Sequence, residues 1–294
     1  MIARPLGRTG LVVSALGLGA GPLGDRALAD EAAARVVHTA IDHGITLIDT
    51  APSYGASEER LGRALRGKRD AVVLCTKGGY GVAGTPDWTP DVIARGIEQA
   101  LGRLATDRID VFFLHSCNRE RLARGDLTEP LVRAREAGKI RAIGYSGDGD
   151  ALEHAIGSGT FDVVECSVNL ADQRALERAI PEARARGIGV LGKRALANAA
   201  WLSSERPSRD DVAIYWERLL TLFEGAPQAL PWDELAVRFA SHAPGVASAL
   251  VGTRSVDHLA RAVEHESRGP LPASMTVELA TRFRQHGRNW DGIV

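Results

Sequence analysis

Four ionisable side chains stand at intervals along the first half of the chain: Asp49, Tyr54, Lys77 and His115. Three of them close an apolar run. Ile45-Thr46-Leu47-Ile48 runs into Asp49, Val72-Val73-Leu74-Cys75-Thr76 into Lys77, and Val111-Phe112-Phe113-Leu114 into His115. Such runs read as buried strands. Tyr54 lies between Pro52 and Gly55, in the loop just past the first of them. A tyrosine ordinarily titrates near pH ~10, too high for an efficient acid at neutral pH. A buried ammonium beside it favours the phenolate and lowers that pKa. A carboxylate keeps the lysine charged, and a histidine within reach of the same oxygen polarises a carbonyl or shares a proton. Together the set suits protonation of a nascent alkoxide, the final event of carbonyl reduction.

Strands that each end on a chemical group must be parallel if those groups are to meet, and a parallel barrel gathers its strand ends on one face. The rest of the chain supports that arrangement. Residues 1–13 read as a short hairpin, followed by a strand over 14–19. Asp30 is placed to cap a helix that Gly44 ends, Ser57 to cap a short helix, and Thr89-Pro90 to open another. Further strands read over 140–146, 161–169, 188–192 and 247–252. The connection before the last strand is the longest, with helical stretches around Trp216 and Val237; helices near Leu259 and Leu279 close the chain. Strict alternation of strand and helix predicts an α/β fold, a closed (β/α)8 TIM barrel with an N-terminal hairpin and extra C-terminal helices. With no linker-like segment, residues 1–294 read as one domain.

Composition narrows the function classes. A net charge of −1 over 294 residues leaves no footprint for nucleic acid or an anionic membrane. Cys75, Cys117 and Cys166 lack the spacing of a disulfide framework or a zinc site, so no metal is expected. No apolar run is long enough to span a bilayer and no signal-peptide pattern opens the chain, so a cytoplasmic setting is the expectation. Gly19-Ala20-Gly21-Pro22-Leu23-Gly24 matches the dinucleotide fingerprint G-x-G-x-x-G. That fingerprint opens its helix at once, whereas here residues 25–29 intervene and Pro22 disturbs the turn. It reads instead as a glycine-rich loop at a strand end.

The chain resembles the aldo-keto reductase superfamily. The resemblance runs from Pro5-Leu6-Gly7-Arg8-Thr9-Gly10 through Asp49-Thr50-Ala51-Pro52-Ser53-Tyr54-Gly55, Ser57-Glu58, Thr76-Lys77, Leu114-His115, Ile143-Gly144-Tyr145-Ser146 and Val168-Asn169-Leu170 to Gly252-Thr253-Arg254-Ser255. It implies a (β/α)8 barrel that binds NADP(H) and reduces aldehydes and ketones. Tyr54 would be the general acid, Lys77 and Asp49 its tuners, and His115 the substrate orienter. Ser146 would meet the nicotinamide carboxamide. The family asparagine after it is Gly147 here, and the family glutamine on the next strand is Glu165, which accepts but cannot donate. Lys193 stands where an aromatic commonly stacks on the nicotinamide. Its charge would disfavour the oxidised ring, with Glu165 cancelling much of the effect. Arg194, Ala195 and Leu196 would approach the pyrophosphate. Arg254 and Ser255 fit the patch for the 2′-phosphate, favouring NADPH over NADH. Asn169, Gly252, Thr253 and His258 complete the implied cofactor set.

Tyr80, Trp88, Trp201 and Trp290 fall on segments that could wall a substrate pocket, and aromatic walls suit an apolar carbonyl compound. The expected partner is therefore a small carbonyl molecule, with the chain a monomer or weak homo-oligomer. Two other readings compete. Lys77 could form a Schiff base in a lyase or aldolase, or the barrel could be a cofactor-binding regulatory subunit with little turnover.

Overall fold

The computed structural model describes residues 1–224 and 229–293. Eight parallel strands close into a barrel, and a two-stranded antiparallel hairpin precedes them. The hairpin is β1 (Ala3–Pro5) and β2 (Val12–Ser14). The barrel strands are β3 (Leu16–Gly19), β4 (Leu47–Asp49), β5 (Val73–Gly78), β6 (Ile109–His115), β7 (Ile140–Ser146), β8 (Val163–Ser167), β9 (Gly189–Lys193) and β10 (Ser248–Gly252). β10 pairs with β3 to complete the closure. The predicted (β/α)8 barrel is the observed fold.

Alternation along each strand decides what faces inward. Leu47, Cys75, Val111, Phe113, Ala142, Val163, Leu191 and Leu250 form the apolar filling of the barrel, with Leu6, Leu11 and Val13 of the hairpin region packed into it. Stepping two residues onward along these strands, or four along β7, reaches Asp49, Lys77, His115, Ser146, Glu165, Lys193 and Gly252. One parity therefore carries both the apolar filling and the polar residues at its upper end. The opposite parity, including Ile48, Leu74, Phe112, Leu114, Ile143 and Val164, packs outward against the helices.

Phe113 and Gly144 show how the filling seats the chemistry. A Cβ at Gly144 would lie 2.3 Å from the Phe113 ring, so only glycine leaves room for it. The ring sits beneath Lys77, whose Nζ is 5.6 Å from its centroid.

Three local expectations shift. The strand expected over 161–169 ends at Ser167, because Asn169 turns the chain: its Oδ1 accepts from the Ala171 backbone N–H at 2.9 Å. Ser57 does not cap its helix; its hydroxyl donates to the Ala20 carbonyl at 2.9 Å and accepts from Thr50. Asp30 begins its helix as the first residue and binds Arg60 at 2.7 Å, with Ala29 in the cap position. Thr89 does cap the helix that Pro90 opens, accepting from the Val92 N–H at 3.3 Å.

Phe113→Ala is expected to lower stability by about 3–5 kcal/mol, the cost of emptying a fully buried aromatic site. Urea denaturation of the two proteins measures it. A loss below about 1 kcal/mol would show that the barrel interior collapses around the gap.

Candidate active site

The polar end of the barrel opens into a cavity of about 1190 Å³, larger than the usual drug-sized pocket. Asp49, Tyr54, His115, Ser146, Glu165 and Lys193 contribute to its lining, and Arg254 and Asp25 lie at its edge with Thr253. Lys77 lies beneath it, fully buried.

The Lys77 ammonium is shared. It is in contact with Asp49, donates to the Thr50 carbonyl at 3.1 Å, and lies 3.3 Å from Glu165 Oε2. Glu165 Oε1 accepts from the Ser146 hydroxyl at 3.0 Å, while Oε2 has no hydrogen-bond donor among the described residues. Two buried carboxylates thus face one ammonium. Burial and the neighbouring Glu165 push the Asp49 carboxyl up to about 8, against the pull of Lys77. Burial alone would lower the Lys77 pKa, but the two acids outweigh it and hold the lysine protonated.

Tyr54 is held by an interlock of two glycine loops. A Cβ at Gly24 would fall 1.6 Å from the Tyr54 carbonyl oxygen, and one at Gly55 would fall 2.3 Å from the Gly24 oxygen. Gly55 also takes a positive φ of 55°. Glycine at both positions lets the loop after β3 press against the loop after β4, and this contact fixes the tyrosine over the barrel mouth. The supposed dinucleotide fingerprint is therefore a packing device. Its glycines form a single 3-10 turn, Gly21–Gly24, and the helix begins only at Asp30.

The Tyr54 pKa moves opposite to the sequence expectation. Burial, with Asp49 and Glu165 added to it, pushes the phenol up to about 12 despite Lys77. Burial is the largest cause and outweighs the pull of Lys77, with the two acids adding to it. His115 moves the other way. Burial and the cations Lys77, Lys193 and Arg194 lower it to about 3, so its imidazole is neutral. Its Nδ1 is 2.8 Å from the Tyr80 hydroxyl, and the two rings stack with centroids 5.6 Å apart.

Lys193 does not present a free charge to the cavity. Its ammonium pairs with Asp148 Oδ2 at 3.2 Å, and Arg194 lies 3.9 Å from the same oxygen. Asp148, rather than Glu165, neutralises Lys193, because Glu165 is engaged by Lys77. Arg194 also donates to the Ile293 carbonyl and to the Ser167 hydroxyl. Several non-glycine residues of the rim take left-handed backbone, among them Ser116 (φ 64°), Arg194 (φ 56°) and Asn198 (φ 52°). Such conformations cost of order 1 kcal/mol each and persist where surrounding contacts dictate them.

A model of the Aldo/keto reductase family matches residues 15–280. The chain belongs to the aldo/keto reductase family. A curated relative, the D-threo-aldose 1-dehydrogenase of a Pseudomonas species, is 30% identical over 312 aligned positions, covering 92% of this chain and 94% of its own. The L-galactose dehydrogenase of Arabidopsis thaliana is 32% identical over 66% of this chain and 65% of its own. Among solved structures, an aldo-keto reductase from Bacillus halodurans in its holo form superposes with a TM-score of 0.81 at 25% identity, covering 96% of both chains. This aldo/keto reductase is an oxidoreductase acting on carbonyls. The family generally uses nicotinamide cofactors.

The residues present fit such a cofactor. Glu165 Oε2 is a buried acceptor without a donor, which a carboxamide N–H₂ would supply. Arg194, Arg209 and Arg254 border the same cavity and could meet phosphates. The family asparagine that is Gly147 here has no room: a Cβ at 147 would lie 2.4 Å from the Tyr145 hydroxyl, which is tied to the Cys117 carbonyl at 2.8 Å.

Other sequence-derived candidates are scattered. Gly252, Thr253, Leu196 and Tyr80 line the cavity. Ser255 is the N-cap of the helix Val256–Ser267, accepting from the His258 N–H at 3.3 Å, and exposed His258 lies in its first turn. Asn169 is buried in its turn, outside the lining. Trp88 backs Tyr80 at 5.7 Å. Trp201 stacks on Trp232 at 5.9 Å and Trp290 packs edge-on against Phe283, so both belong to the helical layer rather than to the wall. Asp148 and Asp25 escaped the sequence reading. Asp148 carried a usable signal: like Asp49, it is an acid just past a strand end.

A nuclear magnetic resonance titration of the eight histidines should show one imidazole, His115, that stays neutral between pH 5 and 9. Because its folded pKa is depressed, the unfolded chain takes up a proton first, near pH ~6.5. Stability should therefore fall as pH drops from about 6.5 toward about 3. An ordinary titration of His115 near 6.5 would contradict the burial argument.

Proposed function

We propose that this aldo/keto reductase interconverts a carbonyl compound and its alcohol with NADP(H), using Tyr54 as the proton donor and acceptor. The observation that carries the reading is the meeting of Tyr54, His115 and Glu165 on one cavity, with a charged lysine directly beneath. A bound nicotinamide supplies or takes up the hydride. The protein's residues do the rest. In the tautomer this role needs, the Tyr80 hydroxyl donates to Nδ1 of neutral His115, 2.8 Å away, and the imidazole carries its own proton on Nε2 to hydrogen-bond the substrate oxygen. Tyr54 keeps its proton at neutral pH and gives it to the alkoxide, a far stronger base than a phenolate. Lys77, 5.7 Å from the centre of the Tyr54 ring, then stabilises the phenolate left behind.

Ser146 and Glu165 would hold the carboxamide, and Arg194 would reach the pyrophosphate. Arg254 would meet the 2′-phosphate. It is now paired with Asp25 at 2.5 Å, both side chains being well exposed. Such a surface pair is worth roughly 0–1 kcal/mol, less than the roughly 1.5–3 kcal/mol of a charge-assisted bond to phosphate. The arginine can therefore exchange one partner for the other.

The wall is more polar than its aromatic residues suggested. Tyr80 is the one of the four candidate aromatics in the lining, which also includes Ser116, Asn198 and Arg209. With relatives named for oxidising aldose and galactose, this supports a hydroxylated small substrate. A Schiff-base role for Lys77 is disfavoured, since its amine is held charged between two acids and a nucleophile must be neutral.

Tyr54→Phe should lower turnover by roughly 10²–10⁴-fold while NADPH binding, followed by fluorescence, changes little. Undiminished turnover would remove the proposed acid; binding without turnover in the unmodified protein would favour a regulatory barrel. Arg254→Ala should raise the KM for NADPH by about tenfold or more and leave that for NADH nearly unchanged. An equal rise for both would show that Arg254 does not read the 2′-phosphate.

A further inference from the structure

Glu165 is the one group of the charge cluster that both lines the cavity and lacks a full set of hydrogen bonds. It is nearly inaccessible, at 2% exposure. The charges around it can be counted element by element. β4 brings Asp49, and β5 brings Lys77 with the Cys75 thiol, which burial keeps protonated. The loop after β4 brings Tyr54 and β6 brings His115, both uncharged at neutral pH. β7 brings the Ser146 hydroxyl. On β9, Lys193 pairs with Asp148, and Arg194, the next residue, lies 3.9 Å from the same oxygen, so these two outer cations share one acid. In the buried inner cluster around Glu165, Lys77 alone serves Asp49 and Glu165, and that cluster is short of one positive charge.

A nicotinamide carries that positive charge when oxidised and loses it when reduced. We infer that Glu165 makes this cavity hold the oxidised nicotinamide more tightly than the reduced one, so that the reduced cofactor, once bound, is a stronger hydride donor. The inference rests on the reading of the cavity as a nicotinamide site. Its sign is opposite to the one expected from Lys193 alone, because Asp148 offsets part of that lysine's charge while both inner acids face one ammonium. Glutamine at the same position would keep the hydrogen bond from Ser146 and remove the charge.

The cluster also predicts a proton. While the site lacks a positive ring, two carboxylates face one ammonium and the Asp49 carboxyl, pushed up to about 8, holds a proton at neutral pH. The oxidised ring takes the place of that proton, so its binding releases one; the neutral reduced ring does not. Binding of the oxidised form should therefore tighten as pH rises toward about 8.

Dissociation constants for NADP⁺ and NADPH, measured by calorimetry in the unmodified protein and in Glu165→Gln, test the inference. The substitution should lower the ratio of the NADPH to the NADP⁺ constant by about tenfold, allowing for screening by Lys77. For a two-electron couple that ratio corresponds to about 30 mV in the potential of the bound cofactor. In the unmodified protein, heats measured at pH 7 in buffers of different ionisation enthalpy should show proton release with NADP⁺ and none with NADPH, a result independent of how the variant folds. Binding of both nucleotides with a ratio unmoved by Glu165→Gln, or without proton release, would overturn the inference and leave the cofactor reading standing. Binding of neither nucleotide would overturn both.

Discussion

A lysine ammonium buried between two carboxylates is the constraint on which the site depends. Taking such charged groups out of water is costly, and their mutual attraction returns that cost only when the geometry is held closely. The barrel supplies the geometry. Asp49, Lys77 and Glu165 stand on three strands whose register is fixed by hydrogen bonding around a closed sheet. Phe113 floors the cluster, and the glycine at 144 makes space for that floor. Buried Glu58 accepts from Thr76, the neighbour of Lys77, at 2.6 Å and binds Arg103 at 2.5 Å, steadying β5 from outside.

The electrostatics of the mouth follow from that arrangement. Burial of Tyr54 outweighs the pull of Lys77, so the phenol keeps its proton at neutral pH. Because His115 is buried and the cations Lys77, Lys193 and Arg194 bear on it, the imidazole remains neutral. The outer cations are each paired with an acid, Lys193 with Asp148 and Arg254 with Asp25. An anionic ligand therefore enters by exchanging partners with exposed or half-buried arginines rather than by meeting bare charge.

The fold was largely legible because a parallel barrel announces itself as apolar runs spaced by amphipathic helices. Asp49, Lys77 and His115 were legible for the same reason, since each ends such a run. What the sequence concealed was partnership across the barrel. Nothing in the spacing of Lys77 and Glu165 says that they lie 3.3 Å apart, nor that Asp148 would claim Lys193. The direction of the Tyr54 shift is not legible either, because burial, which spacing does not give, sets it first and the neighbouring acids add to it. Trp201 and Trp290 were misread for a related reason: an aromatic on a C-terminal helix fills the seam between helices as readily as it walls a pocket. Gly24 reads in the sequence as part of a glycine-rich strand-end loop, and the Tyr54 carbonyl pressed against it shows why it cannot bear a side chain.

The claim beneath all of this is that two buried acids compete for one lysine, leaving one carboxyl protonated far above its usual range. Carbon-13 magnetic resonance of protein labelled at its Asp and Glu carboxyls measures that directly. Two resonances should titrate well above the usual range: that of Asp172, raised by burial to about 7, and one near about 8 that vanishes in Asp49→Asn. If no resonance titrating above pH ~5 is lost in Asp49→Asn, the two acids are not in competition and the account of the site is wrong.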